Sequence, residues 1–319
     1  MKHINIEFNL QDISTFRSAL MGIAILWVVF YHFGFQTPGI RHLMRYGYAG
    51  VDIFMFLSGF GLYYSLNRNR SLTSYFRKRL IRIYPSYFIV GIAFSLICCP
   101  NEGIWDYFWR CSTLGFWTNG VYNEWFIPSI LFLYCLFPLA FKLLASNKIK
   151  FYVSVIMCCI AIAIYTVFND DIIDNWHFLL LYRIPIFLFG AITAFYITDI
   201  QYYKKYLFIA LLGMVMFVGF FVIPGIRSQY ISFTFLTPTL MILVCILVKN
   251  VIFVNKMGGV IGKASLEIYL VHLIFLKYFI MASVMFRENY HDLSTIVFSA
   301  ISVYIGIVLH KFISKCTHP

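Results

Sequence analysis

Two ionisable residues, His32 and Asp52, lie inside long apolar stretches of the sequence. An unpaired ionisable group is costly in hydrocarbon, so such residues usually face the protein interior and serve a function. An imidazole titrates near neutral pH, which makes His32 a candidate general base for a hydroxyl group. Both residues are expected near the outer ends of their spans, where the carboxylate of Asp52 could hold the imidazole in one tautomer. The alternative is that each is a polar contact between helices.

A basic cluster of Arg77, Lys78, Arg79 and Arg82 precedes Pro85. Arg79 and Arg82 are three residues apart and share one face of a helix. Guanidinium groups bind phosphate through two parallel hydrogen bonds. The cluster therefore predicts a site for an anionic cytoplasmic ligand, and the alternative is that its charge only orients the chain in the membrane.

Aromatic residues near span ends are the next candidates. Trp105, Trp109 and Trp117 lie in the segment 100–123, and Glu124 and Trp125 open the following span. Tryptophan at span ends is typical of the membrane interface. The alternative is that these rings stack on a sugar, and we assign Trp117, Glu124 and Trp125 to acceptor binding.

Three charged or titratable residues lie in later spans. Arg183 is expected near the outer interface, where it either anchors the span in water or contacts the substrate. Glu267 and His272 are five residues apart and project to opposite sides of a helix, so they are not expected to pair. His272 is either a polar contact in a cavity or a packing residue.

The composition indicates how these residues are positioned. Of 319 residues, 61% are hydrophobic and 12% are charged, whereas soluble domains carry about 25% charged residues. We predict an all-α, polytopic membrane protein whose residues 1–319 form a single domain. A span needs roughly 20 apolar residues, which gives about ten: 18–36, 47–66, 83–99, 124–145, 151–168, 177–197, 206–223, 230–248, 264–284 and 293–312.

The net charge of +12 is distributed unevenly. Basic residues cluster in alternate loops, including Lys256 and Lys263, whereas most acids lie in the opposite loops, at Glu102, Asp106, Asp170, Asp171, Asp174, Glu288 and Asp292. This positive-inside pattern predicts that both termini are cytoplasmic, and it favours a membrane over a nucleic-acid partner. The eight cysteines show no CxxC spacing, so neither a disulfide framework nor a metal site is expected.

Several segments together carry a family resemblance. They are GIAILWVVFYH (22–32), GVDIFMFLSGF (50–60), FRKRLIRIYP (76–85), WFIPSILFLYCLFP (125–138), RIPIFLFGA (183–191) and IGKASLEIYLVH (261–272). In this order they resemble the acyltransferase 3 family, multi-span membrane enzymes that O-acylate surface polysaccharides and related glycans. The family's RxxR motif corresponds to Arg79 and Arg82, and its essential histidine corresponds to His32.

The resemblance implies a reaction and its participants. Acetyl-CoA or another short acyl-CoA would enter from the cytoplasm, with its phosphates on Arg77, Arg79 and Arg82, and His272 would line the path of the donor. The acceptor would be a surface or lipid-linked glycan, and the enzyme would lie in the cell membrane among lipids and use no metal. Self-association is left open. The alternatives are a flippase-like transporter or a non-catalytic partner of a polysaccharide assembly.

The sequence departs from the family pattern at one position. The family has an arginine eleven residues before the essential histidine, where this chain has Met21. Arg17 lies one helical turn earlier and about 40° round the helix. Three readings stay open: Arg17 takes over the donor-binding role, the donor site is altered, or activity is impaired.

Overall fold

The computed structural model describes residues 7–119, 124–168, 177–197, 200–222, 226–286 and 290–317. Within these ranges all regular structure is helical, which confirms the predicted all-α class. A 3-10 turn covers Gly47–Ala49. The α-helices are α1 (Leu10–Thr15), α2 (Arg17–Phe33), α3 (Pro38–Met44), α4 (Gly50–Arg68), α5 (Leu72–Cys98), α6 (Ile104–Cys111), α7 (Leu114–Asn119), α8 (Phe126–Ser146), α9 (Lys148–Phe168), α10 (His177–Leu181), α11 (Ile184–Tyr196), α12 (Ile200–Val222), α13 (Ile226–Asn250), α14 (Ile252–Lys263), α15 (Ser265–Phe286) and α16 (His291–Thr317).

The protein is a polytopic membrane protein. In the described part of the chain, six helical segments are long and apolar enough to cross a membrane, and a seventh is added if α14 and α15 form one bent span. Each of the ten predicted spans overlaps helix among the described residues, including 151–168 with α9 and 206–222 with α12, and the predicted span 177–197 is divided between α10 and α11. The count of ten and the cytoplasmic termini stay predictions. Asp170, Asp171, Asp174 and Glu288 lie outside the described residues.

The chain is divided into two compact units, each built from separate stretches of sequence. The first unit comprises Met1–Arg17, Asp52–Phe76 and Gly120–Ile252. The second unit comprises Ser18–Val51, Arg77–Asn119 and Phe253–Pro319. The single domain expected from the sequence stays a prediction.

In the first unit, glycines bring α4 and α11 into backbone contact. A Cβ added at Gly59 would lie 1.9 Å from the carbonyl oxygen of Phe187, and one at Gly190 would lie 2.0 Å from that of Phe56. Side chains larger than hydrogen do not fit at either position. This close approach holds α4, which carries Asp52, against α11, which begins directly after Arg183.

In the second unit, glycines do the same for α2 and α14. A Cβ at Gly22 would lie 2.0 Å from the carbonyl oxygen of Gly258, and one at Gly262 would lie 1.7 Å from that of Ser18. Gly34, with φ of 73°, follows the last turn of α2 in the left-handed conformation that glycine tolerates. The hydroxyl of Thr295 on α16 donates to the Gly34 carbonyl over 2.6 Å, which fixes the end of α2 next to His32.

Helices α14 and α15 meet at an angle of 74°. The predicted spans 230–248 and 264–284 leave residues 249–263 as a connecting loop with Lys256 and Lys263, and its cytoplasmic side stays a prediction; the structure shows that residues Ile252–Lys263 of this connection are helical. The segment is helical, and its glycines pack on α2. The positive charges of Lys256 and Lys263 therefore did not distinguish a loop from a helix that packs through its glycines.

The glycine contact predicts a difference between neighbouring positions. Gly262→Ala should destabilise the fold by about 1–3 kcal/mol, because the added methyl group meets the backbone of α2. Gly259→Ala is the matched control: a Cβ there meets no atom within 4 Å, and alanine favours helix by about 1 kcal/mol. The measurement is the thermal unfolding midpoint of the purified protein in detergent. Equal midpoints for the two variants would contradict the contact.

Candidate functional site

His32 and His272 are in contact in the second unit. His32 lies in the last turn of α2, and its Nδ1 atom is 3.2 Å from Nε2 of His272 on α15. The ring centroids are 4.9 Å apart. His272 is fully buried, whereas His32 is half-buried. The structure therefore shows a polar contact of His272 with the histidine proposed for catalysis, and the position of His272 in a cavity or on the donor path stays a prediction.

Asp52 and Arg183 form a buried ion pair in the first unit. Asp52 lies in the first turn of α4, and Arg183 immediately precedes α11. Oδ1 of Asp52 is 3.7 Å from Nε of Arg183, and each side chain is 2% exposed. Nη1 of Arg183 donates to the Leu179 carbonyl over 2.9 Å. The guanidinium lies 5.1 Å from the ring centroid of Trp125, so three of the predicted site residues come together here.

The buried pair contradicts one of the two expectations for Arg183. The other, contact with the substrate, stays a prediction. Anchoring of Arg183 in interfacial water is wrong, because its side chain is buried against Asp52. Glu124, next to Trp125, is also buried, with 6% exposure. Asp52 and His32 belong to different units, and the pairing proposed for them stays a prediction.

Glu267 forms a polar cluster that the sequence analysis did not assign to a site. Arg82 Nη1 is 2.6 Å from Oε1 of Glu267, and Arg82 Nη2 is 3.3 Å from Oε2. The hydroxyl of Ser86 donates to Oε1 over 2.7 Å, and Nδ1 of His310 lies 3.3 Å from Oε2. Glu267 is fully buried. A buried acid in an apolar span needs a cationic partner, and this was the signal that could have predicted the cluster.

The break between α14 and α15 explains the position of this cluster. A helix ends with unpaired carbonyls and begins with unpaired N–H groups and a positive dipole end. Arg82 Nη2 donates to the carbonyl of Lys263, the last residue of α14, over 3.0 Å. Glu267 lies in the first turn of α15. The bent pair thus supplies both a backbone acceptor and a carboxylate to one guanidinium.

The predicted phosphate-binding arginines differ in their surroundings. The guanidinium of Arg82 is bound by Glu267, although 43% of its side chain stays exposed. Arg77 is exposed, and Arg79 is half-buried. Arg17 donates from Nη2 to the Leu57 carbonyl over 3.3 Å in the first unit. Donor binding by these arginines, including the replacement of the missing family arginine by Arg17, stays a prediction.

The segment after α5 presents its tryptophans on its surface. Arg110 and Glu102 are paired, with Nη2 of Arg110 3.0 Å from Oε2 of Glu102, and both also contact Ser95. Trp105 is 81% exposed, and Trp109 and Trp117 are also exposed. This exposure is compatible with the membrane interface and with stacking on a sugar, so both interpretations of Trp117 stay open.

The fold and these clusters define a helical, multi-pass membrane protein with paired ionisable groups inside its spans. The profile described as an acyltransferase domain matches residues 19–311, and the chain therefore belongs to the acyltransferase 3 family. The chain is also similar to the "Putative acetyltransferase ORF330" of Acidianus two-tailed virus, with 38% identity over 78 residues. This match covers 24% of each protein. No solved structure matches the chain significantly.

The ion pair of Asp52 and Arg183 predicts non-additive effects on stability. Arg183→Met should destabilise the protein by about 3–5 kcal/mol, because it leaves a buried carboxylate without its cation. Asp52→Asn combined with Arg183→Met should restore most of the loss, since neither charge then remains. Unfolding midpoints of the single and double variants test this. Losses that simply add would show that the two charges do not interact.

Proposed function

We propose that the protein is an acyl-CoA-dependent O-acyltransferase that modifies a surface or lipid-linked glycan. The observation that carries this proposal is that α15 contacts both predicted functional sites of the second unit. Glu267 binds Arg82 of the donor motif, and His272 binds the candidate catalytic His32. The two positions are five residues apart, or about 7–8 Å along the helix axis. The family supplies the reaction class, and the acyl group is most simply acetyl.

The reaction needs one proton acceptor near the acceptor hydroxyl. His32 Nε2 would take the hydroxyl proton while the oxygen attacks the thioester carbonyl carbon. The carbon–sulfur bond then breaks, the CoA thiolate leaves, and the proton on His32 passes to that sulfur. The products are an ester of the glycan and free CoA. A helical bundle that excludes water would protect the thioester from hydrolysis.

The remaining predicted residues complete the proposal. Arg17, Arg77, Arg79 and Arg82 would hold the phosphates of the donor at the cytoplasmic surface, because guanidinium groups bind phosphate bidentately. Glu124, Trp125, Trp117 and Arg183 would contact the acceptor, and Asp52 would act as a catalytic carboxylate. About ten spans with cytoplasmic termini would place the donor and acceptor sites on opposite sides of the cell membrane.

A transporter or non-catalytic subunit is the alternative function. Broken helices are typical of transporters, where they occur in matching positions of two repeats. Among the described residues, one helix pair, α14 with α15, is bent in this way. The transporter pattern needs a second bent pair at the matching position of another repeat. The acyltransferase is therefore the better supported function.

The first test supplies radiolabelled acetyl-CoA to membranes that contain the protein and follows label into glycan. His32→Ala should reduce transfer by at least about 100-fold, because a general base contributes 10²–10⁴-fold. His42→Ala is the matched control, because His42 is an exposed histidine on α3. It should transfer acyl groups at the wild-type rate. Substantial transfer by a normally inserted His32→Ala variant would reject the role of His32.

A second test separates the two roles of Arg82. Arg82→Ala should raise the KM for acyl-CoA and lower stability, because it removes a phosphate ligand and leaves Glu267 buried without its cation. Glu267→Gln leaves the guanidinium available, so donor affinity should be retained or increased. Kinetics with varied acyl-CoA, together with unfolding midpoints, provide the measurement. An unchanged KM in a folded Arg82→Ala variant would restrict Arg82 to a structural role.

A further inference from the structure

We propose that His272 is a positioning residue that holds His32 in the tautomer able to accept a proton. This inference rests on the proposed function, because it assigns a role in the same reaction. It differs from the donor-path role that the sequence suggested for His272. The buried imidazole would act through His32 and would not touch the substrate itself.

The contact between the two rings contains a single hydrogen. Nδ1 of His32 and Nε2 of His272 are 3.2 Å apart, and in a pair of neutral imidazoles one of these atoms donates and the other accepts. If His272 donated, His32 would carry its own hydrogen on Nε2 and could not accept a proton there. If His32 donates from Nδ1, its Nε2 lone pair stays available. The direction of this hydrogen bond therefore decides whether His32 is a base at Nε2.

The proposed reaction requires donation by His32. Its Nε2 lone pair must be free to take the hydroxyl proton, so the single hydrogen of the neutral ring lies on Nδ1. His272 then accepts the hydrogen bond at Nε2.

Burial gives the two rings different roles. His272 has no exposed surface, so its position suits a fixed partner behind the reacting group. His32 is half-buried and keeps one side accessible. When Nε2 of His32 takes the hydroxyl proton, the hydrogen on Nδ1 stays in place and its bond to His272 becomes charge-assisted, hence stronger. The Nε2 proton then leaves with the CoA sulfur, and the pair returns to its starting state.

A neutral partner suits this environment. In serine proteases a carboxylate orients the catalytic histidine, and loss of the correct tautomer there costs about 10⁴-fold in rate. A second charge inside a span requires compensation of its own. An imidazole can accept the same hydrogen bond while uncharged, so the pair needs no further cation.

Chemical reactivity tests this role without relying on acyl transfer. Diethyl pyrocarbonate acylates unprotonated imidazole nitrogen, and mass spectrometry gives the rate at His32 relative to exposed His42. His272→Phe keeps an aromatic ring but removes the acceptor, and it should slow modification of His32 by about tenfold or more, as expected for loss of the reactive tautomer. His272→Gln offers an amide oxygen as acceptor and should stay within about twofold of wild type.

Controls separate this effect from packing. Leu273→Ala truncates the adjacent buried side chain, so it removes apolar packing without changing the hydrogen bond between the two histidines. It should leave the reactivity of His32 unchanged. If His272→Phe does not fold, as judged by its unfolding midpoint, His272→Leu takes its place. Wild-type reactivity of His32 in a folded variant that lacks the acceptor would overturn the proposal.

Acyl-transfer kinetics provide the second readout. In His272→Phe, kcat should fall by at least about tenfold with an unchanged KM for acyl-CoA, and His272→Gln should recover most of the rate. A raised KM with unchanged kcat would instead place His272 in donor binding and overturn the proposal. If the wild-type protein transfers no acyl group, the proposed function fails, while the reactivity of His32 still decides the role of His272.

Discussion

The cost of an unpaired charge or polar group in a low-dielectric interior governs this protein. Within its apolar helices, ionisable residues lie in contact with one another, which lowers this cost. Asp52 is matched by Arg183, and Glu267 is matched by Arg82 with further help from Ser86 and His310. His32 and His272 share one hydrogen bond and require no net charge.

These contacts depend on how closely the helices approach each other. Lipid tails are as apolar as leucine side chains, so the hydrophobic effect does not drive helices together within a membrane. Helix association there relies on small residues and close backbone packing. Glycines supply that packing between α4 and α11 and between α2 and α14. The bend between α14 and α15 places the Lys263 carbonyl and the Glu267 carboxylate next to the guanidinium of Arg82. Packing and chemistry are therefore linked, because the same approach that stabilises the helices sets the distance between the functional groups.

The second unit joins the parts of the proposed reaction through α15. Glu267 in its first turn binds Arg82, and His272, five residues further along the same helix, contacts His32. The first unit contains a separate buried pair, Asp52 with Arg183, beside Trp125.

Local sequence was sufficient to predict the helical class, the multi-pass membrane character and the ionisable residues that would need partners. Hydropathy and residue type carry this information, and the six segments between residues 22 and 272 together indicated the family. Only the tertiary structure decided the partners. His32 and His272 are 240 positions apart, and Arg82 and Glu267 are 185 apart. Such pairings depend on the rotation of each helix about its axis and on the break after Lys263, which no local pattern specifies.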